Sequence, residues 1–226
     1  MFSKLFCLGL VSLLAAESGK DLQIITAIEQ NQLVREERLL SYTVTEHYTL
    51  RNTRFHDPAE MTVAVSYARG RGKVYDVQSR SGPSFLQTGV LDRVLKEEQS
   101  MSQGEAREAS LVTSANYRMK WAGEQQLGAR NCETILLEPR KKTPHLLQGK
   151  AWADASNFRL VRIEGKPAAS PSFWAGSPWV VRDYKEIGDF SFAVRSQATS
   201  QSFLLGRSEL IIDYIDYRVS VESGSK

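Results

Sequence analysis

Alternation of apolar and polar residues runs through most of this sequence, and no other feature constrains the fold as strongly. It begins at Ser41 and returns in a second run from residue 61. Successive side chains of a strand point to opposite faces of a sheet, so each run predicts a strand with one buried face. The residues predicted to share that inward-pointing face are Tyr42, Val44, Tyr48, Leu50, Met61, Val63 and Val65.

Further strand patterns follow along the chain. Gly70-Arg71-Gly72 predicts a turn into a partner strand over 73–79. From residue 117 to residue 221, short alternating runs are separated by turn-forming residues, which predicts an antiparallel sheet, sandwich or barrel. Two hairpin tips, at 69–73 and 140–142, are basic. We interpret them as solvated, with anionic lipid headgroups as the alternative partner.

Two segments show helical spacing instead. Apolar residues three to five positions apart predict an amphipathic helix over 21–39. Ser84-Phe85-Leu86-Gln87 matches a capping box, with Ser84 as N-cap, and predicts a second helix to about Gln99. Residues 100–110 are polar and are predicted to form a loop. Together these elements predict an α+β fold that is mostly antiparallel β-sheet.

The N-terminus has the layout of a secretory signal peptide. Lys4 precedes an apolar run over 5–16, which is shorter than the ~20 residues of a membrane-spanning helix. Ala16-Glu17-Ser18 predicts cleavage after Ser18, with the preceding alanines as alternative cut sites. We expect residues 1–18 to be removed and residues 19–226 to fold as one domain in the periplasm.

The composition argues against several classes of function. A formal net charge of +3 is too even to predict nucleic-acid binding. Cys132 is the only cysteine left after cleavage, so we expect no intrachain disulfide and interpret it as a buried, inert thiol. The three histidines are scattered, and no hydrolase or phosphate-loop motif occurs. We therefore expect no metal site, no cofactor and no catalytic activity.

One long segment interrupts the strand patterns. Residues 165–178 contain three prolines among small residues, and they carry Phe173 and Trp174. Its prolines argue against a helix or an inner strand, and long loops in compact domains are often functional. One interpretation is that the segment lies at a cavity mouth, where the two aromatic residues contact an apolar ligand or close the empty cavity. A structural plug against the sheet edge is the alternative.

The order of the elements and three strand motifs resemble a known family. The motifs are Cys132–Pro139, a strand that ends at a proline, Gly149–Asp154, and Phe158–Gly165, a strand that returns to a glycine. They resemble the LolA-like periplasmic lipoprotein carriers, whose fold is shared with LolB and the RseB N-terminal domain. The resemblance implies a strongly curved, incomplete β-barrel closed by two or more helices over an apolar cavity.

For function, the resemblance implies a non-enzymatic carrier that binds lipoprotein acyl chains or other lipids in that cavity. The expected lining is the inward face of the first two strands together with Phe173 and Trp174. The implied partners are the lipoprotein or lipid cargo and a membrane-bound donor or acceptor protein. The alternative is a lipid-sensing or lipoprotein-sensing module that regulates a partner protein, and a hydrolase of unrecognised type is a third class.

Overall fold

The computed structural model describes residues 8–171, 176–202 and 206–222, with side chains from residue 19 onward. The strands are β1 (Leu39–Asn52), β2 (Ala59–Ala68), β3 (Gly72–Ser81), β4 (Tyr117–Leu127), β5 (Arg130–Pro139), β6 (Leu147–Asp154), β7 (Leu160–Pro167), β8 (Trp179–Ile187), β9 (Phe190–Ser202) and β10 (Gly206–Val221). The helices are α1 (Leu8–Arg38), α2 (Ser84–Leu86), α3 (Asp92–Ser100) and α4 (Gly104–Glu108), and a π-helical turn (Gln87–Leu91) joins α2 to α3.

All ten strands belong to one antiparallel sheet. Their spatial order is β3-β2-β1-β10-β9-β8-β7-β6-β5-β4, so the last strand returns to pair with the first. The edge strands are β3 and β4, and yet Lys73 of β3 and Tyr117 of β4 line the same cavity. The sheet therefore curls until its two edges approach each other. This confirms the predicted fold class, an α+β incomplete barrel.

The first two strands place their residues as the alternation predicts. The seven side chains predicted to point inward are each no more than 8% exposed. β1 and β2 pair from Ser41–Ala68 to Leu50–Ala59, which brings their inward residues onto one face of the sheet. The predicted hairpin is also present, because β3 pairs with β2 beyond the turn at 69–71.

The helices cover the concave side of the sheet and create two apolar clusters. In one, α2, the π-helical turn and α3 pack Leu86, Leu91 and Val94 against β1 and β2. In the other, α1 packs Ile24 and Ile28 against β4 to β7. The predicted helix over 21–39 is confirmed in this part of α1, and the two clusters leave a space between them.

The region after β3 differs from the sequence prediction. The capping box is wrong, because Pro83 is the N-cap and Ser84 is the first helical residue. The Gln87 amide instead donates to the carbonyl oxygens of Ser81, at 2.5 Å, and Glu60, at 2.9 Å, and so anchors the helix to the hairpin. The segment predicted as a polar loop contains α4, whose Arg107 forms an ion pair with Glu36 of α1.

Glycine is required where β6 and β7 approach each other most closely. Gly149 and Gly165 face each other across the two strands. A Cβ atom on Gly149 would lie 2.0 Å from the Glu164 carbonyl oxygen, and one on Gly165 would lie 2.4 Å from the Gln148 carbonyl oxygen. Both glycines belong to the motifs that carry the family resemblance, so steric crowding explains this part of the pattern.

Three further predictions concern single positions. Cys132 is fully buried, as expected, and burial raises the pKa of its thiol. β7 continues to Pro167, so the first residues of the segment predicted as a loop belong to a strand between β6 and β8. The backbone of α1 passes through the predicted cleavage site after Ser18 without a break. Cleavage there stays a prediction, which N-terminal sequencing of the exported protein tests.

Candidate functional site

A cavity of about 340 Å³ lies inside the curl of the sheet, between the two apolar clusters. Its wall includes residues from both edges of the sheet, from α1, α3 and α4, and from the connection between α4 and β4. Apolar side chains from both clusters face it, which include Val94, Val112, Leu160, Phe192, Leu210 and Ile212. The cavity is the space that the two clusters do not fill.

Aromatic rings form a continuous part of this wall. The Tyr42 ring stacks on Tyr67, with ring centroids 4.9 Å apart, and meets the edge of Phe192 at 5.6 Å. The Phe192 and Tyr217 rings lie 5.0 Å apart, and the Tyr217 hydroxyl donates to the Ala193 carbonyl oxygen at 2.8 Å. These rings give the cavity a rigid, weakly polar surface.

A charged cluster crosses the cavity between β1, β3 and α3. Lys73 Nζ lies 3.5 Å from Glu46 Oε1 and 3.3 Å from Glu98 Oε2. The Tyr48 hydroxyl donates to the other oxygen of Glu46, which is only 1% exposed. Burial would lower the pKa of Lys73, but nearby groups, chiefly Glu46, more than offset that effect and hold it well above its ordinary value.

Arg182 of β8 extends this cluster to the opposite wall. Its guanidinium lies 3.6 Å from Glu98 Oε1, and its Nε donates to Ser196 Oγ at 2.9 Å. Burial would raise the pKa of Glu98, but Lys73 and Arg182 act in the opposite direction and leave it below its ordinary value. Lys73, Arg182, Glu46 and Glu98 therefore form a group with balanced charge.

A second charged cluster joins α1 to α4. Arg107 donates from Nε to Glu36 Oε2 at 3.0 Å and from its second terminal nitrogen to Oε1 at 2.5 Å. Arg35 reaches the same Oε1 atom at 2.7 Å, and its guanidinium lies 4.8 Å above the Phe192 ring. Burial lowers the pKa of Arg35, and the neighbouring Arg107 lowers it further.

Sequence reasoning missed both clusters. The interpretation of Lys73 as part of a solvated basic tip is wrong, because β3 begins at Gly72 and the Lys73 side chain is only 14% exposed. Glu46 occupies an inward position between Val44 and Tyr48, and the alternation alone places it inside. A single acidic residue in an otherwise apolar face was the available signal for a buried ion pair.

The predicted lining residues are placed as follows. Tyr42 lies in the cavity wall. Six others lie in the apolar cluster beneath α2 and α3 and are absent from the wall that the described residues form, namely Val44, Tyr48, Leu50, Met61, Val63 and Val65. Phe173 and Trp174 lie outside the described residues. Pro171 and Pro178, on either side of them, line the cavity, and the part of all nine in ligand binding stays a prediction.

The geometry allows binding by apolar, aromatic and charged contacts. Within residues 19–171, 176–202 and 206–222, no three His, Cys, Asp or Glu side chains are grouped to hold a metal ion. At the cavity edge, His145 Nε2 lies 3.2 Å from Glu97 Oε1.

None of the described helices is long and apolar enough to cross a membrane.

Comparison with solved structures finds similar chains at low sequence identity. A putative outer membrane lipoprotein-sorting protein domain from Vibrio parahaemolyticus is 13% identical, with a TM-score of 0.47 over 92% of this chain and 94% of that one. A DUF1329 family protein from Desulfovibrio piger is 10% identical, with a TM-score of 0.47 over 90% and 92%. A LolA superfamily protein from Nitrosomonas europaea is 10% identical, with a TM-score of 0.38 over 88% and 93%.

One of these similar structures belongs to the LolA superfamily, which this sequence resembles. Neither the protein-family models nor the curated proteins compared with this sequence gave a match.

Proposed function

We propose that this protein is a non-enzymatic periplasmic carrier that binds lipoprotein acyl chains or other lipids in the cavity. The observation that carries the proposal is the cavity itself, whose apolar and aromatic wall is enclosed by the curled sheet and its helices. Each methylene transferred from water to such a wall contributes about 0.8 kcal/mol. Eight methylenes would therefore contribute roughly 6 kcal/mol before the entropic cost of binding.

The loop between β7 and β8 is the proposed mouth of the cavity. Its described ends line the cavity at Pro171 and Pro178. We place Phe173 and Trp174 there as residues that contact the apolar ligand or cover the empty cavity. Cargo would be received from, or delivered to, a membrane-bound partner protein, because a lipid does not leave a membrane rapidly without a protein that shields its chain.

Filling the cavity with a larger side chain tests the proposal. Ala198 of β9 lines the cavity, whereas Ala64 of β2 is exposed. Ala198→Phe should weaken binding of a fluorescent fatty acid strongly while the protein stays folded in a thermal melt. Ala64→Phe should leave binding unchanged and serves as the matched control. Equal binding by the two variants, or no binding by the wild-type protein, would contradict the carrier function.

Native mass spectrometry of protein purified from its host's periplasm addresses the cargo directly. A lipid that co-purifies in stoichiometric amount supports the carrier. A protein that co-purifies in place of a lipid supports the sensing module instead.

A further inference from the structure

Charged side chains line the cavity unevenly. The cationic ones are Arg35, Lys73, Arg107 and Arg182, whereas the acidic ones are Glu97 and Glu98. Lys73 and Arg182 belong to the balanced cluster, because Glu46 and Glu98 provide one carboxylate for each of them. Glu97 lies 3.2 Å from His145 and forms no ion pair with a lysine or arginine of the described residues. The two cations of the wall that the balanced cluster leaves out are therefore the arginines at the α1–α4 end of the cavity.

Arg35 and Arg107 share a single carboxylate. Arg107 binds both oxygens of Glu36, and Arg35 binds one of the same two oxygens. Among the ion pairs of the described residues, neither arginine has another acidic partner. Two guanidinium groups and one carboxylate leave one uncompensated positive charge, and the buried Nε of Arg35 finds no acceptor in the described part of the chain.

An uncompensated charge at a partly buried site is costly unless a ligand or another group neutralises it. The side chain of Arg35 is 14% exposed, and that of Arg107 is 29% exposed. Each guanidinium has five N–H donors, so both can donate to a further anionic partner without releasing Glu36. Guanidinium groups match the geometry of carboxylate and phosphate oxygens.

The apolar wall begins directly beside these donors. Arg35 lies against the Phe192 ring, and Phe192 is in contact with Tyr42 and Tyr217, which also line the cavity. A ligand that places an anionic group at the two arginines can thus lay an apolar chain along the aromatic wall. A volume of about 340 Å³ is near the lower end of the range for small-molecule sites, which favours one chain over several.

We propose that the cavity is selective for single-chain amphiphiles that carry an anionic group, a carboxylate or a phosphate, and that Arg35 and Arg107 bind this group. The inference rests on the proposed lipid-binding function and specifies its ligand. Neutral amphiphiles of the same length would occupy the apolar wall and leave the excess charge uncompensated.

Three probes of equal chain length test the selectivity on the wild-type protein: dodecanoate, dodecyl phosphate and dodecanol. Their affinities are measured by calorimetry at pH 8 and fixed salt, below the concentrations at which they form micelles. We expect both anions to bind about tenfold or more tighter than dodecanol, the factor that a hydrogen bond to a charged group provides. Equal affinity for all three would overturn the inference and leave the carrier function standing. Failure of all three to bind would overturn both.

Variants then test the assignment to the two arginines. Arg35→Gln should lower the affinity for both anions about tenfold and leave that for dodecanol unchanged, whereas Arg35→Lys should retain much of the difference. Arg118→Gln is the matched control, because Arg118 lies on the surface and pairs with Glu138 at 3.2 Å. Tight anion binding that survives both Arg35→Gln and Arg107→Gln would refute the assignment.

The two anions also separate the two sources of such a ligand. Tighter binding of dodecyl phosphate would identify a phosphorylated lipid, and tighter binding of dodecanoate would identify a free fatty acid. Either result supports the inference, provided that dodecanol binds more weakly than both. Thermal melts of each variant verify that lost affinity does not result from unfolding.

Discussion

Removal of the Lys73 ammonium group tests whether the charged cluster at β1, β3 and α3 is buried as the structure shows. In Lys73→Met, Glu46 would lose its cation while it remains 1% exposed. Glu98 would keep Arg182 as a partner, at 3.6 Å, so Glu46 is the carboxylate that would be left without a cation. Removing one partner of a buried ion pair costs about 3–5 kcal/mol, because the other charge remains without compensation.

The size of this effect can be measured in two ways. Urea unfolding, followed by tryptophan fluorescence, gives the free energy of unfolding. In a domain of about 200 residues, 1 kcal/mol lowers the melting temperature by about 2–4 °C, so Lys73→Met should lower it by roughly 6–20 °C. Lys150→Met is the matched control, because Lys150 is exposed on β6 and its loss should change stability by less than about 0.5 kcal/mol.

A double variant separates the lost ion pair from the lost lysine side chain. Adding Glu46→Gln to Lys73→Met removes the uncompensated carboxylate, so it should recover a large part of the lost stability. If Lys73→Met is no more destabilising than Lys150→Met, the buried ion pair does not exist in solution. If the double variant is as unstable as the sum of the single variants, the two residues do not interact.

Further predictions concern the sheet and its pH dependence. Val63→Asp should lower the free energy of unfolding by about 3–5 kcal/mol, because Val63 is fully buried. Thr62→Asp lies on the other face and should lower it only slightly. Equal losses of stability in urea unfolding would refute the assigned face. Gly149→Ala should cost about 1–3 kcal/mol through its clash with β7, whereas Gly89→Ala meets only ordinary contacts at 4.0 Å and should be tolerated. The pKa of Glu98 is lowered in the folded protein, so the stability that this carboxylate contributes is present above pH 4.5 and is lost as the pH falls below that value. In Glu98→Gln, the free energy of unfolding should therefore fall less on acidification, which urea unfolding at a series of pH values measures.

Local patterns made most of the sheet predictable. A half-buried strand requires a period of two, so the alternation at 42–50 and 61–67 fixed which face is buried before any contact was known. The curl of the sheet is different in kind. It depends on β10 pairing with β1, more than 150 residues away in sequence, and on the facing glycines of β6 and β7. The sequence alone does not reveal these distant pairings, and the family resemblance was needed to predict an incomplete barrel.

The charged clusters were unpredictable for the same reason. Lys73 is 27 residues from Glu46 and 25 from Glu98, and Glu36 is 71 residues from Arg107. Such spacings carry no motif, because the fold alone brings the partners together. The capping box shows the opposite failure. The local motif is present, but the Gln87 side chain donates to the carbonyl oxygens of Ser81 and Glu60 and does not cap the helix.

A cavity between two apolar clusters has to resist collapse, since merging the clusters would bury more apolar surface. Glu98 of α3 and Arg182 of β8 approach each other across this space and place polar groups where the clusters would otherwise join. Charged pairs of this kind contribute little net stability, because desolvation offsets their attraction. We therefore expect this pair to affect the shape of the cavity more than the stability of the fold.

We accordingly expect the double variant Glu98→Met, Arg182→Met to be as stable as the wild type or more stable, and to bind a fluorescent fatty acid more weakly. Lys73 keeps Glu46 as its partner in this variant, so no buried charge is left uncompensated. The double variant Arg118→Gln, Glu138→Gln removes a surface ion pair and should change neither property. Urea unfolding and ligand titration measure the two quantities independently. A variant that loses stability but keeps full affinity would show that the pair holds the fold together and does not keep the cavity open.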